Sequence, residues 1–352
     1  MFGKGVFFLI YKKKIVHLSL SFFFRSYTTM KFSISIFIFL LSLFSFSSCN
    51  KETCCDTPIE NNPFVAPSAQ DFNSLQDSAL SNLIQRVNFI ADEGITFTSG
   101  NGAQLQIFPG CLTTTDGQLI LDEVTLEFIE LYEKSNMLAP NKPTMGRMPN
   151  GDKALLITGG AFYINITHNG ERVVPACGFQ MLVPVALTGA ANPNMSLWSG
   201  VIDASGNLTW EPNPNGEVFV QNNAYFAFFQ NFGWTNIDRF FDDPRPKTTI
   251  QVLVSEGYTA ENSAVYMAFS GEDNGLAHLD TFNQNTNMFS EHYGQLPIGL
   301  EAHLIFVTAT ATSWRYAIKT VIISENQIFT IAHSETQTAT LTEIQALIAA
   351  LP

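Results

Sequence analysis

Apolar and polar residues alternate in short runs along most of the chain, and this alternation predicts β-strands. It is clearest at residues 123–128, where apolar side chains occupy one face and polar or acidic side chains the other. It recurs at residues 104–107, 161–166, 250–254 and 316–321. Asp-Gly and Asn-Gly pairs separate several of these runs and supply the positive φ that tight hairpin turns need. Many short strands between such turns predict a mostly β fold built from β-sandwiches.

Helical periodicity is confined to two segments. Residues 74–84 carry apolar side chains at a spacing of four residues, which predicts one short helix. Residues 342–351 show a stronger helical pattern, with Thr342 as the predicted N-cap. The fold class predicted from the pattern is therefore mostly β with a short C-terminal helix.

A candidate domain boundary lies at residues 242–246, which read Asp-Asp-Pro-Arg-Pro. Two prolines and three charges follow an aromatic run and precede a new strand-like run, as in a linker. We predict two β-sandwich-like domains in tandem, at residues 85–243 and 247–352. The chain is long enough for each domain to bury its own core.

The first 48 residues differ sharply in charge from the rest of the chain. They contain six basic residues and no acidic residue, and their apolar run at residues 32–46 is shorter than the ~20 residues of a membrane-spanning helix. The run ends in Phe46-Ser47-Ser48-Cys49, which resembles the lipobox of bacterial lipoproteins. The resemblance implies that residues 1–48 are a removable leader and signal peptide, and that Cys49 carries the lipid. The alternative is an uncleaved anchor with an incidental cysteine, and Met30 is a second candidate translation start.

Residues 49–84 are predicted to form a lipidated tether, because their first part is rich in Pro and Asn and poor in apolar residues. The short charged run Lys51-Glu52 behind the cysteine resembles the signal that directs Bacteroidetes-type lipoproteins to the cell surface. The resemblance implies an outer-membrane lipoprotein at the cell surface rather than on the periplasmic face. The alternative is an ordinary solvated linker.

The charge balance excludes one class of partner. The chain has 18 Lys and Arg and 31 Asp and Glu residues, so residues 49–352 hold 12 basic and 31 acidic residues. Their net charge of −19 would repel a phosphate backbone, and nucleic acid is therefore not an expected partner. The expected partners are the membrane, through the N-terminal lipid, and a cell-envelope protein or glycan.

Five cysteines are present, and one of them is assigned to the lipid. Cys111 and Cys177 belong to the same predicted domain, in a compartment where disulfides persist. They are a candidate disulfide, and two separately buried thiols are the alternative. No cysteine or histidine spacing is typical of a metal site, so neither a metal nor a cofactor is predicted.

Residues 95–185 resemble the ZU5-like β-domain of Bacteroidetes-type lipoproteins. The resemblance rests on the strand and Pro-Gly turn at residues 102–110, the strand at residues 124–131 and the segment Thr158-Gly159-Gly160 with its following strand. Cys111 departs from the family pattern, in which a small residue is usual after the Pro-Gly pair. The resemblance implies a β-sandwich used for contact or packing, with no catalytic residues.

Residues 225–241 contain eight aromatic residues, the densest such segment of the mature chain. Tyr225, Phe229, Phe232 and Trp234 are its candidate functional side chains, because aromatic rings stack on sugars or fill an interface between domains. The position of the segment next to the predicted boundary favours packing between the domains over glycan binding.

The inventory of catalytic motifs is empty, since the chain has no HExxH, GxSxG or P-loop sequence. Glu301 and His303 would share a strand face, and residues 270–275 offer several oxygen ligands, but a polar strand edge and a plain turn are the favoured interpretations. We therefore predict a non-enzymatic, membrane-anchored lipoprotein that acts as a binding, adhesion or scaffolding module. The alternative is a polysaccharide-active enzyme, which would need two carboxyl groups about 5–10 Å apart in one pocket.

Overall fold

A computed structural model describes residues 64–204 and 206–352 of the chain, and these residues are mostly β. The leader, Cys49 and the tether up to residue 63 lie outside the described residues. The predicted fold class is confirmed, since several β-sheets and a short C-terminal helix account for the described architecture.

The strands of the first half alternate with tight turns, as the sequence pattern predicts. In chain order they are β1 Gln85–Ile90, β2 Ile95–Thr98, β3 Gln104–Ile107, β4 Leu112–Thr114, β5 Glu123–Leu131, β6 Met145–Arg147, β7 Lys153–His168, β8 Glu171–Pro175, β9 Phe179–Pro184, β10 Ser196–Ile202, β11 Leu208–Pro212, β12 Glu217–Gln221, β13 Ala224–Phe229 and β14 Gly233–Phe240. At the turn between β7 and β8, Asn169 has a φ of 52°, a conformation that Asn adopts more readily than most residues.

The strands of the second half follow the proline-rich segment. They are β15 Lys247–Val254, β16 Ser263–Phe269, β17 Ala277–His278, β18 Thr281–Asn283, β19 Met288–Pro297, β20 Glu301–Ala309, β21 Trp314–Ile322, β22 Gln327–Ile331 and β23 Gln337–Ala339. The helices are α1 Ala69–Ser81, α2 Lys134–Leu138 and α3 Leu341–Ala349, with short 3-10 turns at Val185–Leu187 and His333–Glu335.

The first half builds two sheets. Sheet I has nine strands, in the order β1-β5-β7-β14-β10-β11-β6, with β4 and β8 attached beside β7. β6 also pairs with β7, so that β7, β14, β10, β11 and β6 close into a ring. Sheet II has the order β12-β13-β9-β3-β2 and packs its inner face on sheet I.

The second half builds two further sheets. Sheet III has the order β17-β16-β20-β21-β23, and sheet IV has the order β18-β19-β15-β22. Their facing side chains form a second sandwich core. Each of the four sheets takes all of its described strands from one side of residues 241–246.

A third apolar cluster joins the two sandwiches. It contains side chains from sheet I, from sheet III and from all three α-helices. We call this cluster the joint. Strand β16 shows why: alternate residues contribute to the joint and to the second sandwich core, so that the whole strand is buried. The sheets are therefore layered in the order II, I, III, IV.

Helix α1 corrects the predicted extent of the tether. The flexible tether was predicted through residue 84 and the helix at residues 74–84, but the helix is Ala69–Ser81. Ser68 is its N-cap and accepts a hydrogen bond from the backbone nitrogen of Asp71 at 3.1 Å. Phe72 is 3% exposed and packs in the joint, so burial of this ring orders a segment whose composition predicted a linker.

The C-terminal helix is present, but its predicted cap is wrong. Thr340 is the N-cap, and its hydroxyl accepts from the backbone nitrogen of Glu343 while the Glu343 carboxylate accepts from the backbone nitrogen of Thr340. Thr342 lies inside the first turn of α3. Strand β23 ends at Ala339, which fixes the helix start at the next residues.

Candidate functional site

Cys111 and Cys177 are joined by a disulfide in the structure. Their Cα atoms are 5.3 Å apart, and the bond closes a sequence separation of 66 residues. It connects the chain before β4 to the chain after β8, two strands that already pair with each other. The chain-entropy estimate for a loop of this length is about 4 kcal/mol of stabilisation.

Two of the candidate aromatic residues lie in neither a ligand site nor the joint between the sandwiches. Tyr225 is fully buried and Phe229 is 1% exposed, and both belong to the core between sheets I and II. The prediction for these two residues is therefore corrected. The reason is the alternation of β13, which places its odd-numbered residues on the inner face of sheet II.

The other two candidate aromatics occupy different environments. The ring of Phe232 lies 5.1 Å from that of Phe179 at the edge of the first sandwich core. Trp234 is 9% exposed and belongs to the cluster that joins the two sandwiches. Its ring lies 5.3 Å from the Tyr163 ring and 6.3 Å from the Trp210 ring. The packing interpretation thus describes Trp234, whereas Phe232 packs within the first sandwich.

The even-numbered residues of the same strand point outwards and form an exposed aromatic group. Phe226 and Phe228 alternate with the buried residues of β13, and Phe219 lies opposite Phe226 on the edge strand β12. The Phe219 and Phe226 ring centroids are 5.6 Å apart with nearly parallel planes, and those of Phe219 and Phe228 are 6.2 Å apart. Phe219 is 46% exposed. Sequence reasoning did not select Phe226 and Phe228 within the aromatic segment, and it missed Phe219, which lies before that segment.

Uncharged residues, all polar except Leu182, continue this face across sheet II. The strand register places Leu182 beside Phe226 and Gln180 beside Phe228 on β9. The same register extends the row to β3 and β2, at Gln104, Gln106, Thr96 and Thr98. We call the residues Phe219, Phe226, Phe228, Gln180, Leu182, Gln104, Gln106, Thr96 and Thr98 the amide–aromatic face.

The polar groups of this face are free for a ligand. Within the described part of the chain, the side-chain amides of Gln104, Gln106 and Gln180 make no hydrogen bond, and neither do the hydroxyls of Thr96 and Thr98. Each amide offers both donors and an acceptor, and each hydroxyl offers one of each kind. The amide–aromatic face therefore combines ring surfaces with a row of unpaired, uncharged hydrogen-bonding groups.

A cavity of about 200 Å³, lined by residues of β6 and β7 in sheet I and by residues of the second sandwich, contains the strongest candidate carboxyl group for catalysis. Glu291 lines it and is 3% exposed. Burial raises the pKa of Glu291 to about 7, although the backbone nitrogens of Gly294 and Gln295 donate to its carboxylate at 3.3 Å. These residues lie at an irregularity in the pairing of β15 with β19, so the carboxyl group also satisfies backbone donors there.

A second carboxyl group lines the same cavity in a contrasting environment. Asp243 accepts from Arg245, whose Nε lies 2.9 Å from Oδ1 and whose Nη2 lies 2.5 Å from Oδ2. This guanidinium lowers the pKa of Asp243 to about 2. Pairs of carboxyl groups with separated pKa values are typical of acid–base catalysis. The cavity is therefore the part of the described structure where the alternative function, a polysaccharide-active enzyme, would be sought.

Glu301 and His303, the polar pair on β20, both contact hydroxyl groups of neighbouring residues. His303 is 2% exposed, and its Nε2 and Nδ1 contact the hydroxyls of Ser270 at 3.1 Å and Thr320 at 2.9 Å. Ser270 also donates to Glu301 at 2.9 Å. Both imidazole nitrogens are thus occupied by neighbouring hydroxyls. Among residues 64–204 and 206–352, no group of three or more His, Cys, Asp or Glu side chains has the arrangement of a metal site.

A buried lysine occupies the oxygens of the loop at residues 270–275. Lys134 is 1% exposed, and its ammonium donates to Asp273 Oδ1 at 3.0 Å, to the Glu272 carbonyl at 3.4 Å and to the Leu351 carbonyl at 3.0 Å. A positive charge at these oxygens opposes calcium binding there. The lysine connects helix α2, the loop at residues 270–275 and the chain that follows α3.

No protein-family model matches the chain, and no curated protein matches it. In the described ranges, no helix combines the length and the apolar character that a bilayer crossing requires.

Proposed function

We propose that this protein is a non-enzymatic lipoprotein, anchored to the outer membrane through Cys49, that binds a partner through the amide–aromatic face. The anchor part of the proposal rests on the leader, whose basic start, apolar run and Ser47-Ser48-Cys49 ending resemble a lipoprotein signal. The similarity to ZU5-like domains of Bacteroidetes-type surface lipoproteins supports a contact role. The observation that carries the binding part is the exposed group of three Phe side chains beside unpaired amides.

The place where the chain enters the fold supports this arrangement. Phe64 is the first described residue, and its ring lies 4.1 Å from that of His333 and 4.9 Å from that of Tyr258. Both partners belong to the second sandwich, in segments that follow β22 and β15. The amide–aromatic face is the outer surface of the first sandwich. The contacts of Phe64 and the amide–aromatic face thus lie on different sandwiches.

The anchor is tested by a single substitution. Cys49→Ser should abolish incorporation of labelled palmitate in the producing bacterium and leave the protein unprocessed or released, because only the thiol forms the lipid bond. Cys54→Ser, five residues further along the tether, is the matched control and should be labelled like the wild type. Protease treatment of intact cells then separates a cell-surface from a periplasmic location. Retained labelling of Cys49→Ser would overturn the anchored function.

One specific observation favours an enzyme instead. Glu291 and Asp243 line the same cavity with pKa values of about 7 and about 2, as an acid and a base would. Both carboxyl groups, however, already bond neighbouring groups of the fold, and a cavity of about 200 Å³ is smaller than the usual small-molecule site. Release of reducing sugar from a polysaccharide by the purified protein would establish this second candidate, and the proposed binding function predicts none.

A further inference from the structure

We infer that the amide–aromatic face binds an uncharged polysaccharide chain. This inference rests on the proposed binding function and names the chemical class of its ligand. Three properties of the face carry it: the exposed rings, the unpaired amides and hydroxyls, and the absence of charge.

The rings provide the apolar part of the site. Phe219 is 46% exposed, and Phe226 and Phe228 are partly exposed beside it. An apolar group in water gains free energy when another apolar surface covers it. The C–H faces of a sugar ring are such a surface, and the negative ring face of Phe attracts their weakly positive hydrogens. Three neighbouring rings can therefore hold adjacent sugar units.

The remaining strands provide the polar part. Gln180 is opposite Phe228 on the neighbouring strand, and Gln106 is opposite Gln180 on the next. Thr96 continues the same row on β2. Sugar hydroxyls are donors and acceptors at once, and they match groups that also offer both. A protein partner with a dry apolar patch would instead leave these amides without partners, which costs free energy at each one.

The charge of the face distinguishes between classes of polymer. All nine residues of the amide–aromatic face are uncharged, and Glu217, opposite Phe228, is the charged residue at its edge. The rest of the mature chain is strongly acidic, which repels anionic polymers at long range. A neutral chain brings no charge that would have to be desolvated without a counter-charge. The complementary ligand is therefore an uncharged one.

The dimensions of the sheet indicate a polymer rather than a single sugar. Neighbouring strands lie about 4.8 Å apart, so five strands make a face about 20 Å wide. The face is an open surface, and open surfaces do not enclose a small ligand as pockets do. Contacts with several units in a row compensate for the weak contact that each unit makes.

Affinity electrophoresis provides the test. The purified soluble domain, residues 62–352, is one compact unit and would be run in gels that contain dextran, laminarin, hydroxyethyl cellulose or galactomannan, with alginate as the anionic comparison. At least one neutral polymer should retard the wild type. The double variant F226A/F228A and the variant Gln180→Ala should raise the Kd at least tenfold and about threefold. Ile322→Ala, which truncates a side chain 53% exposed on sheet III, is the matched control and should bind like the wild type.

Three outcomes would overturn the inference: no retardation by any neutral polymer, equal retardation of wild type and F226A/F228A, or retardation by alginate alone. Sedimentation of the same proteins identifies the competing occupant, a second copy that pairs with the free edge of β12, where Val220 is 39% exposed. Self-association lost in F226A/F228A, without polymer binding, would reject the polysaccharide and keep the binding function. If the wild type incorporates no labelled palmitate, the anchored function is rejected, and the result on polymer binding is unaffected.

Discussion

Two regions of this molecule are rich in aromatic residues, and they use them in opposite ways. The joint between sheets I and III contains four tryptophans, two of which donate their indole N–H to backbone carbonyls: Trp198 to Asp238 at 3.1 Å and Trp210 to Pro143 at 3.0 Å. The aromatic residues of the amide–aromatic face are all phenylalanines, whose side chains have no polar atom to satisfy. A buried indole without a hydrogen bond would be costly, so the joint supplies one.

The two regions meet within a single stretch of sequence. Strand β13 places Phe226 and Phe228 outside and Tyr225 inside, and β14 then contributes Trp234 to the joint. The same composition thus serves a core, a joint and an exposed face within ten residues. The comparison shows that a segment rich in aromatic residues indicates a function only when it is known which of its side chains are buried and which are exposed.

The largest effect is expected at the joint. Trp234→Ala removes a 9% exposed indole that packs on Tyr163 and Trp210, and it leaves a cavity. Substitutions of this kind cost ~3–5 kcal/mol in free energy of unfolding. Urea unfolding of the wild type and Trp234→Ala should show this loss, with faster proteolysis near Pro244. An unchanged unfolding midpoint would place Trp234 on a functional surface instead of in the joint.

A second, smaller effect concerns the cavity carboxyl group. Burial raises the pKa of Glu291 from 4.5 to about 7, so the fold favours the protonated form. Its contribution to stability is complete below pH 4.5 and is lost as the pH rises through 7, a change of about 3 kcal/mol.

Glu291→Gln should lack this loss, because an amide stays neutral throughout the range. Urea unfolding at pH 4.5, 5.5 and 7 would measure the difference between the two proteins, which should grow with pH in favour of the variant. A difference independent of pH would mean that folding does not raise the pKa of Glu291. Polysaccharide hydrolysis by the wild type that Glu291→Gln abolishes would support the enzyme instead.

The smallest effect on stability is expected at the amide–aromatic face. Phe228→Ala removes a partly exposed ring and one cross-strand contact with Phe219, which is worth about 0.2–1 kcal/mol. The free energy of unfolding should therefore change by no more than about 1 kcal/mol. A loss as large as that of Trp234→Ala would show that this ring is part of a core, and the contrast between the two regions would fail.

Much of the fold could be predicted because its signals are local. The turn after β7 was predicted from Asn169-Gly170, and both residues have positive φ. The alternation in β5 and the periodicity of α3 likewise depend on neighbours in sequence. The cap of α3 was not decided locally, since Thr340 and Thr342 are each followed by Glu or Gln three residues later. The pairing of β23 with β21 up to Ala339 decided between them.

The sequence by itself determined the mostly β class, the positions of several turns and the alternation of two sets of side chains along each strand. Only the tertiary structure decided which class faces inwards, because a strand pattern of apolar residues on both faces, as in β13, is compatible with either orientation. It also decided that α1 belongs to the joint, where sheet III covers Phe72. Burial depends on partners that are distant in sequence: the rings of Tyr225 and Phe226 are adjacent in the chain, and sheet I buries the first and leaves the second partly exposed.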